Sequence, residues 1–443
     1  MTGVQGMRQS PEVTVFATFL LILLCYFCSL WVSIPIRAGA FLLSTYAVVW
    51  CFRGLGAFNP LVWYPPFLLA YMSLYSLVAG GVRLWGDTAV LEEVISVGLL
   101  ALAGFFFGAA VPCYKRLRHL EIDFNLSAVK FVAIALIIFC LLIAIYSALF
   151  IEGIEKQSIK EAAGAISVFF PLYTFLAVIV NVYLYQKYQY RKINLGLLLR
   201  DRILIAAGLT LVFNYSVSGE RESLFYMLVL FFLLYWTVKA NLRPYKILLL
   251  VAAVMFLAPI TQYMKLFLRQ DVSLQGALLH YSLLQNEFAS AGRNTFFVLS
   301  NFDGAYMNGK TILWSIMRYF DFIFPDAHSA GAWFNTEFRS LHGSTGNSGW
   351  GFSFAAEGYI NFGHLGIFIF FAVKGLFISA IYRLSDRGPG FFLFYLLTIP
   401  TLIYVIRGDL ASLLALSFKY NLLFAVTFFL FHNLISTRRA RLA

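Results

Sequence analysis

Long apolar runs separated by short polar seams dominate the chain. Stretches 13–34, 39–52, 61–81, 89–111, 128–150, 165–186, 203–217, 223–238, 246–267, 364–382, 391–406 and 413–434 carry almost no charge. Most are long enough to cross roughly 30 Å of hydrocarbon as helices, the second and seventh being short. The pattern predicts an all-α, polytopic membrane protein of about twelve transmembrane helices. One connection, 268–351, is far longer than ordinary helix connections, and loops of that length tend to be functional. It holds amphipathic pieces such as "TILWSIMRYFDFIF", which suit helices lying in the membrane interface. The expected organisation is therefore 1–267 as membrane helices one to nine, 268–351 as a long loop, and 352–443 as the last three helices.

Composition agrees. Hydrophobic residues make up 61% of the 443 positions and charged ones 12%, too little polar surface to cover a water-soluble domain. The first apolar run lacks a clear small-residue cleavage site, so it is expected to be retained as a helix. Cys25, Cys28, Cys51, Cys113 and Cys140 all fall in or beside apolar runs, which predicts small buried side chains and no disulfide framework. The net charge of +12 would point to nucleic acid in a soluble protein. Here topology absorbs it. The basic stretches at 114–119, 186–202, 239–246 and the C-terminal tail share one side of twelve crossings. The positive-inside rule makes that side cytoplasmic, with both termini on it, and no nucleic-acid partner is needed.

The informative charges lie on the opposite side. Arg221 sits in "SGERESLF", at the start of the eighth helix beside Gly219, and Arg407 ends the eleventh in "YVIRGDL" with Asp409 next to it. The long loop adds Arg269, Arg293, Arg318 and Arg339. An arginine fork meets phosphate oxygens bidentately and keeps its charge, and a helix start adds backbone N–H groups. A lipid-linked phosphate or diphosphate would fit there. The same arginines equally suit snorkelling to headgroups or pairing with carboxylates, and Arg269 reads best as a headgroup anchor. Glu357, in "GFSFAAEGYINFGHLG", is a candidate general base near the membrane, or else a salt-bridge partner of an arginine. His342, in a Gly/Ser-rich stretch, is a second candidate base, ahead of His280, His328 and His364. Glu92 and Glu93 are expected as interface anchors, and Lys374 and Lys419 fall within helices.

No H-E-x-x-H or D-x-D motif occurs; the G-x-x-x-x-G-K-T spacing of Gly304–Thr311 and the C-x-x-C of Cys25 and Cys28 stand in a chain of apolar helices, with no strand before the first and no polar ligand set around the second, so no ATP, metal or nucleotide-sugar site is expected. The stretches "SGERESLF" (218–225), "NEFASAGRNTF" (286–296), "GKTILWSIMRYFDFIFP" (309–325), "AAEGYINFGHLGI" (355–367) and "RGDL" (407–410), with the topology, resemble the bacterial Wzy-type O-antigen polymerases. The resemblance implies a GT-C-like glycosyltransferase of the bacterial inner membrane, with 268–351 as a periplasmic loop. Such an enzyme joins undecaprenyl-diphosphate-linked repeat units, donor and acceptor, without a cofactor, and works beside a chain-length regulator protein. It places Arg221 and Arg407, with Arg293 and Arg318, at the substrate. Arg339, Asp409 and Tyr359 complete the expected substrate-binding set, with Glu357 and His342 as the expected catalytic pair. The alternatives are an O-antigen ligase and a flippase of lipid-linked oligosaccharide.

Overall fold

The computed structural model describes residues 11–82, 87–113, 123–150, 169–188, 196, 199–218, 222–239, 242–255, 287–320, 322–324, 328–338 and 351–442. Among these residues all regular structure is helical. The helices are α1 (Pro11–Ser29), α2 (Ile34–Phe52), α3 (Pro60–Val82), α4 (Thr88–Cys113), α5 (Leu126–Phe150), α6 (Pro171–Tyr188), α7 (Arg202–Ser218), α8 (Glu222–Lys239) and α9 (Pro244–Met255). They continue with α10 (Glu287–Asn301), α11 (Lys310–Tyr319), α12 (Ala330–Glu337), α13 (Phe354–Leu384), α14 (Pro389–Tyr404), α15 (Leu410–Leu414) and α16 (Leu423–Leu442). A π-helical segment, Ala415–Leu422, joins the last two. Among the described residues eight helical spans are long and apolar enough to cross a membrane, and three more are apolar but shorter. The chain is an all-helical polytopic membrane protein.

In lipid the hydrophobic effect does not drive one helix onto another, so close backbone approach and dispersion must hold the bundle. The most extensive helix pair is α4 with α13. Gly104 and Gly108, one turn apart on α4, face the backbone of α13 at Phe368 and Ala372, and Gly375 of α13 faces Phe105 in return. A side chain at any of these positions would run into a carbonyl oxygen. This pair sets the position of α13.

The tenth predicted span, 364–382, is only part of α13. The helix starts ten residues earlier and is broken at Phe362 and Gly363, where Gly363 has φ +62°. Beyond the break the chain reverses. Gly358 lies against Gly366 and Ile367, and the Phe354 ring packs on Phe370 and Phe371 at 5.6 and 5.4 Å between centroids. Residues 354–361 therefore form a short arm folded back along the main helix. Asn361 fastens the bend: its amide donates to Thr311 Oγ1 (2.7 Å) and its Oδ1 accepts from Gly309 N (3.0 Å).

A second departure concerns the long loop. Its helix α10 is not outside the bundle but packed into it against α3, with Phe288, Ala289, Ala291, Asn294 and Thr295 buried and Gly292 against the carbonyls of Tyr71 and Met72. The ninth predicted span is described only to Met255, and residues 256–286 lie outside the described residues. The cysteines also differ in part from expectation. Cys25 and Cys140 are buried, whereas Cys28 and Cys51 are exposed on helix faces; all four are free. The Cys113 side chain lies outside the described residues.

Polar contacts tie the helix ends into two separate sets. In one, Trp63 donates to the Tyr395 hydroxyl (3.0 Å), Asn125 N donates to His432 Nε2 (2.8 Å), and Lys187 pairs with Asp201 (2.5 Å). These belong to the seams that carry the basic stretches. In the other, Arg37 of α2 reaches Ser96 Oγ (2.8 Å) and Glu92 (2.9 Å) of α4 together with the Val32 carbonyl (2.6 Å). Glu93 meets His364 at 3.1 Å. Glu92 and Glu93 thus join helices, rather than anchoring to the interface alone. Each set joins only seams that the charge pattern assigns to one side.

Replacing Gly108 with valine should lower the thermal midpoint in detergent, because overpacking against backbone costs about 1–3 kcal/mol or more. Gly39→Ala, where nothing lies within 4 Å of an added Cβ, should leave it unchanged or higher. Fluorescence-detected size-exclusion after heating distinguishes the two.

Candidate functional site

In the second set of ends, four segments converge on Arg407. Helix α14 finishes at Tyr404, and the 3-10 turn Val405–Arg407 and extended residues Gly408 and Asp409 lead into α15. The Arg407 guanidinium pairs with Glu222, the first residue of α8, and with Glu287, the first residue of α10, at 3.4 Å. Both carboxylates sit in first turns, where the helix dipole favours negative charge. The Arg407 carbonyl accepts from Phe352 N (3.0 Å), which brings in the chain just before the arm. Arg407 is therefore a structural link among α8, α10, α14 and the start of α13, rather than a cation held open for a ligand.

Asp409 has a comparable role. Its oxygens accept from Ser412 N (2.8 Å), Ser412 Oγ (2.6 Å) and, across to α12, Gly331 N (3.0 Å). Glu357 of the arm accepts from Leu410 N at 2.7 Å, with the Thr311 hydroxyl on its other side. It is wholly buried and lines neither of the cavities described next. Together Glu357 and Asp409 accept from the Leu410 and Ser412 N–H groups at the start of α15. Glu357, the expected base, lines neither chamber and caps Leu410 N through one oxygen, while its Oε1 is buried without a hydrogen bond.

A cleft opens beside this hub. Its first chamber, about 520 Å³, is bounded by the starts of α6 and α8, the second half of α14, the π segment and Arg318 of α11. Phe170, Pro171, Phe175, Pro400 and Leu416 form apolar walls; Thr174, Glu222, Thr401, Tyr404, Ser412 and Asn421 supply polar groups. The Asn421 amide donates to Thr401 Oγ1 (2.8 Å) and to the Leu397 carbonyl (3.1 Å), which fixes the π segment against α14 beside Pro400. The second chamber, about 460 Å³, adjoins the first along Arg318, Ser412, Ala415 and Tyr420 and adds Tyr319, Ser329 and Lys419. Such volumes suit a small-molecule or headgroup site.

The structure thus brings Arg318 and Asp409 to the cleft, with Arg407 behind Glu222. It keeps Arg293 apart: that side chain lies on α10 near Tyr75 of α3, where burial pushes its guanidinium down to about 10 against the opposing effect of Tyr75. It remains charged at neutral pH. Tyr359 also lies elsewhere, edge-on to His364 at 5.5 Å and to Tyr306 at 6.2 Å. His328 faces the Trp314 ring. Arg221, Arg339, His342 and His280 lie outside the described residues, although Glu222, next to Arg221 in the chain, lines the first chamber. Sequence reasoning missed Glu222 and Lys419 as site residues. The polar triplet Lys419–Tyr420–Asn421 inside an apolar run was the available signal. Among the described residues no cluster of three His, Cys, Asp or Glu could hold a metal ion.

No known protein family, curated protein or solved structure matches the chain. Function must be argued from the cleft itself.

Lys374 and Arg407 make opposite predictions. Lys374, 1% exposed, has no hydrogen-bond partner at Nζ and lies over the rings of Phe354 (4.6 Å), Tyr64 (5.2 Å) and Phe371 (5.6 Å). Lys374→Met should leave stability unchanged or raise it, since an apolar residue of similar volume is often better by about 1–4 kcal/mol. Arg407→Met strips two carboxylates of their cation and should cost about 3 kcal/mol. Thermal unfolding of both variants in detergent tests the contrast.

Proposed function

We propose that this chain is a membrane glycosyltransferase of the bacterial inner membrane that polymerises undecaprenyl-diphosphate-linked oligosaccharide repeat units. The cleft would open to the periplasm. The observation that carries the reading is a chamber with one apolar wall and one polar, cation-bearing wall at a single end of the bundle. An isoprenoid tail suits Phe170, Phe175, Pro400 and Leu416, and a diphosphate suits Arg318. The neighbouring start of α8 carries Arg221 in the chain. On the reading of twelve crossings this end lies opposite the basic seams, and both termini then lie in the cytoplasm.

In the transfer step the acceptor hydroxyl oxygen forms a bond to the anomeric carbon of the donor glycan while the bond from that carbon to the diphosphate oxygen breaks. Negative charge builds on the departing diphosphate, and fixed cations at that point stabilise it most. Arg318 is the described residue suited to this role. The carboxylate facing the chamber is Glu222 rather than Glu357, and Glu222, held in place by its pairing with Arg407, is positioned to accept the hydroxyl proton. Transfer is favoured over transport because the cations of the cleft sit at one end of the bundle. The deeper Lys374 faces aromatic rings.

Deleting the gene should reduce the surface glycan to a single capped repeat. Complete loss of the glycan would instead indicate a ligase or a flippase, and an unaltered long-chain glycan would rule out all three. Arg318→Ala, expressed at normal level, should slow polymer formation about a hundredfold and leave the single repeat in place. A normal ladder of long chains from that variant would remove Arg318 from the diphosphate site.

A further inference from the structure

In water an amphipathic helix turns its apolar side inward; α11 does the reverse. Thr311 and Ser315, one turn apart on its inner side, are wholly buried. Thr311 Oγ1 accepts from the Asn361 amide (2.7 Å), and the Ser315 hydroxyl donates to the Thr311 carbonyl (2.8 Å). The buried side is therefore polar and satisfied. Leu313, Ile316 and Phe320 lie on the opposite side at three- and four-residue spacing, and all are exposed. Such a stripe is misplaced in water and suits hydrocarbon.

The chain just past the helix lengthens the stripe. Phe322, Ile323 and Phe324 are 79%, 57% and 40% exposed. Their turn is closed, for Ile323 N and Phe324 N both donate to the Phe320 carbonyl (2.8 and 3.0 Å). Backbone satisfied within its own segment can enter hydrocarbon. The patch also borders surface of the membrane-crossing kind. Gly309, at the head of α11, lies against the Phe362 ring. From Phe362 an exposed apolar stripe runs along α13 through Leu365, Ile369, Val373 and Leu376, on a helix long and apolar enough to cross a membrane. Acyl chains cover that stripe, and the α11 patch continues it.

We propose that Leu313, Ile316 and Phe320, with Phe322, Ile323 and Phe324, are inserted among the acyl chains of the leaflet at the cleft end of the bundle, and that this lipid seat holds α11 in place. The sequence gives the segment its amphipathic character; which side meets the protein is a property of the fold, and here it is the polar side. The occupant is lipid rather than a second protein because the patch and the α13 stripe form one surface, with no polar rim between Gly309 and Phe362 to bound a separate interface. The consequence reaches the cleft. Helix α11 packs on α15, and its Arg318 lines both chambers, so the depth at which the apolar side rests sets the depth of that arginine. The inference stands on the outer side of α11 and is independent of the reaction carried out in the cleft.

Spin labels on the full-length protein in phosphatidylethanolamine–phosphatidylglycerol nanodiscs test this without any polymer assay. With the native cysteines replaced by alanine, single cysteines are placed at Ile316, at Phe322, at Leu365 of the α13 stripe and at Glu337, an exposed charged position on α12. Each label is then relaxed by oxygen, which concentrates in lipid, and by a nickel chelate, which stays in water. Labels at Ile316 and Phe322 should match Leu365, with a ratio of oxygen to nickel accessibility about tenfold above that at Glu337. Nickel accessibility at Ile316 and Phe322 equal to that at Glu337 means that the face meets water and overturns the proposal. Shielding of both labels from both reagents means that protein covers the face, and it overturns the proposal as well. The seat itself is tested by Phe322→Asn and Ile323→Asn together, read from the label at Ile316. That label should move toward water in a protein of unchanged thermal midpoint, since both replaced side chains are exposed. A label that keeps its depth shows that α11 is held without the lipid seat, and the proposal fails.

Discussion

A guanidinium drawn out of water into a helical bundle has to be met by negative charge, and Arg407 is met twice. At the dielectric typical of partly buried pairs, each contact near 4 Å is worth about 4 kcal/mol before desolvation is subtracted. More important is what the contacts connect. Glu222 begins α8, Glu287 begins α10, and Arg407 closes the 3-10 turn that follows α14, so one side chain draws three helix ends together. The Phe352 amide on its carbonyl adds a fourth. The first chamber is the space left beside this knot, and several of its wall residues, Glu222, Tyr226 and Tyr404, stand within one turn of the ends that Arg407 joins. Loosening the knot would move walls as well as weaken the fold.

The all-helical, polytopic character and the position of most apolar helices could be read from the sequence because hydrocarbon thickness is a direct physical constraint. The roles of individual charges could not. Arg407 and Glu222 are 185 residues apart, and no local pattern announces that they pair. Alone, an arginine in a glycine-flanked seam looks like a phosphate site. Glu357 is a similar case: a carboxylate beside a membrane helix resembles a base, and only the fold shows that one of its oxygens accepts from Leu410 N. The reversal at Gly363 was hidden as well, since Phe354–Leu384 reads as one mostly apolar stretch and hydropathy does not register direction. Lys419 stayed out of view because a single cation in an apolar run usually belongs to a helix flank, whereas here a π turn swings it into a chamber.

Helix α11 shows how one short element serves two environments. Leu313, Ile316 and Phe320 are exposed on its outer side, while Thr311 and Ser315 are buried within and Arg318 is directed to the cleft. An amphipathic helix of this kind lies at the boundary between lipid and water. It lies across α15, so the roof of the cleft is also part of the surface facing the membrane interface. The arginine bordering both chambers is thereby carried on a helix whose outer side is apolar and exposed.

The folded-back arm, residues 354–361, has a consequence for how the chain is put together. At about 1.5 Å per residue it extends only some 12 Å, far short of a bilayer. It cannot rest in lipid by itself, because Ser353, Glu357 and Asn361 would be stranded among acyl chains. Each of these groups finds its partner on another element: Ser353 on Thr295, Glu357 on Leu410, Asn361 on Thr311. Two of those elements precede the arm and one is synthesised after it. The arm must therefore wait, unsettled, until α14 and α15 have emerged. The last stretch of translation closes the centre of the molecule, and a nascent protein stalled before Leu410 would have α1 to α14 but no finished cleft.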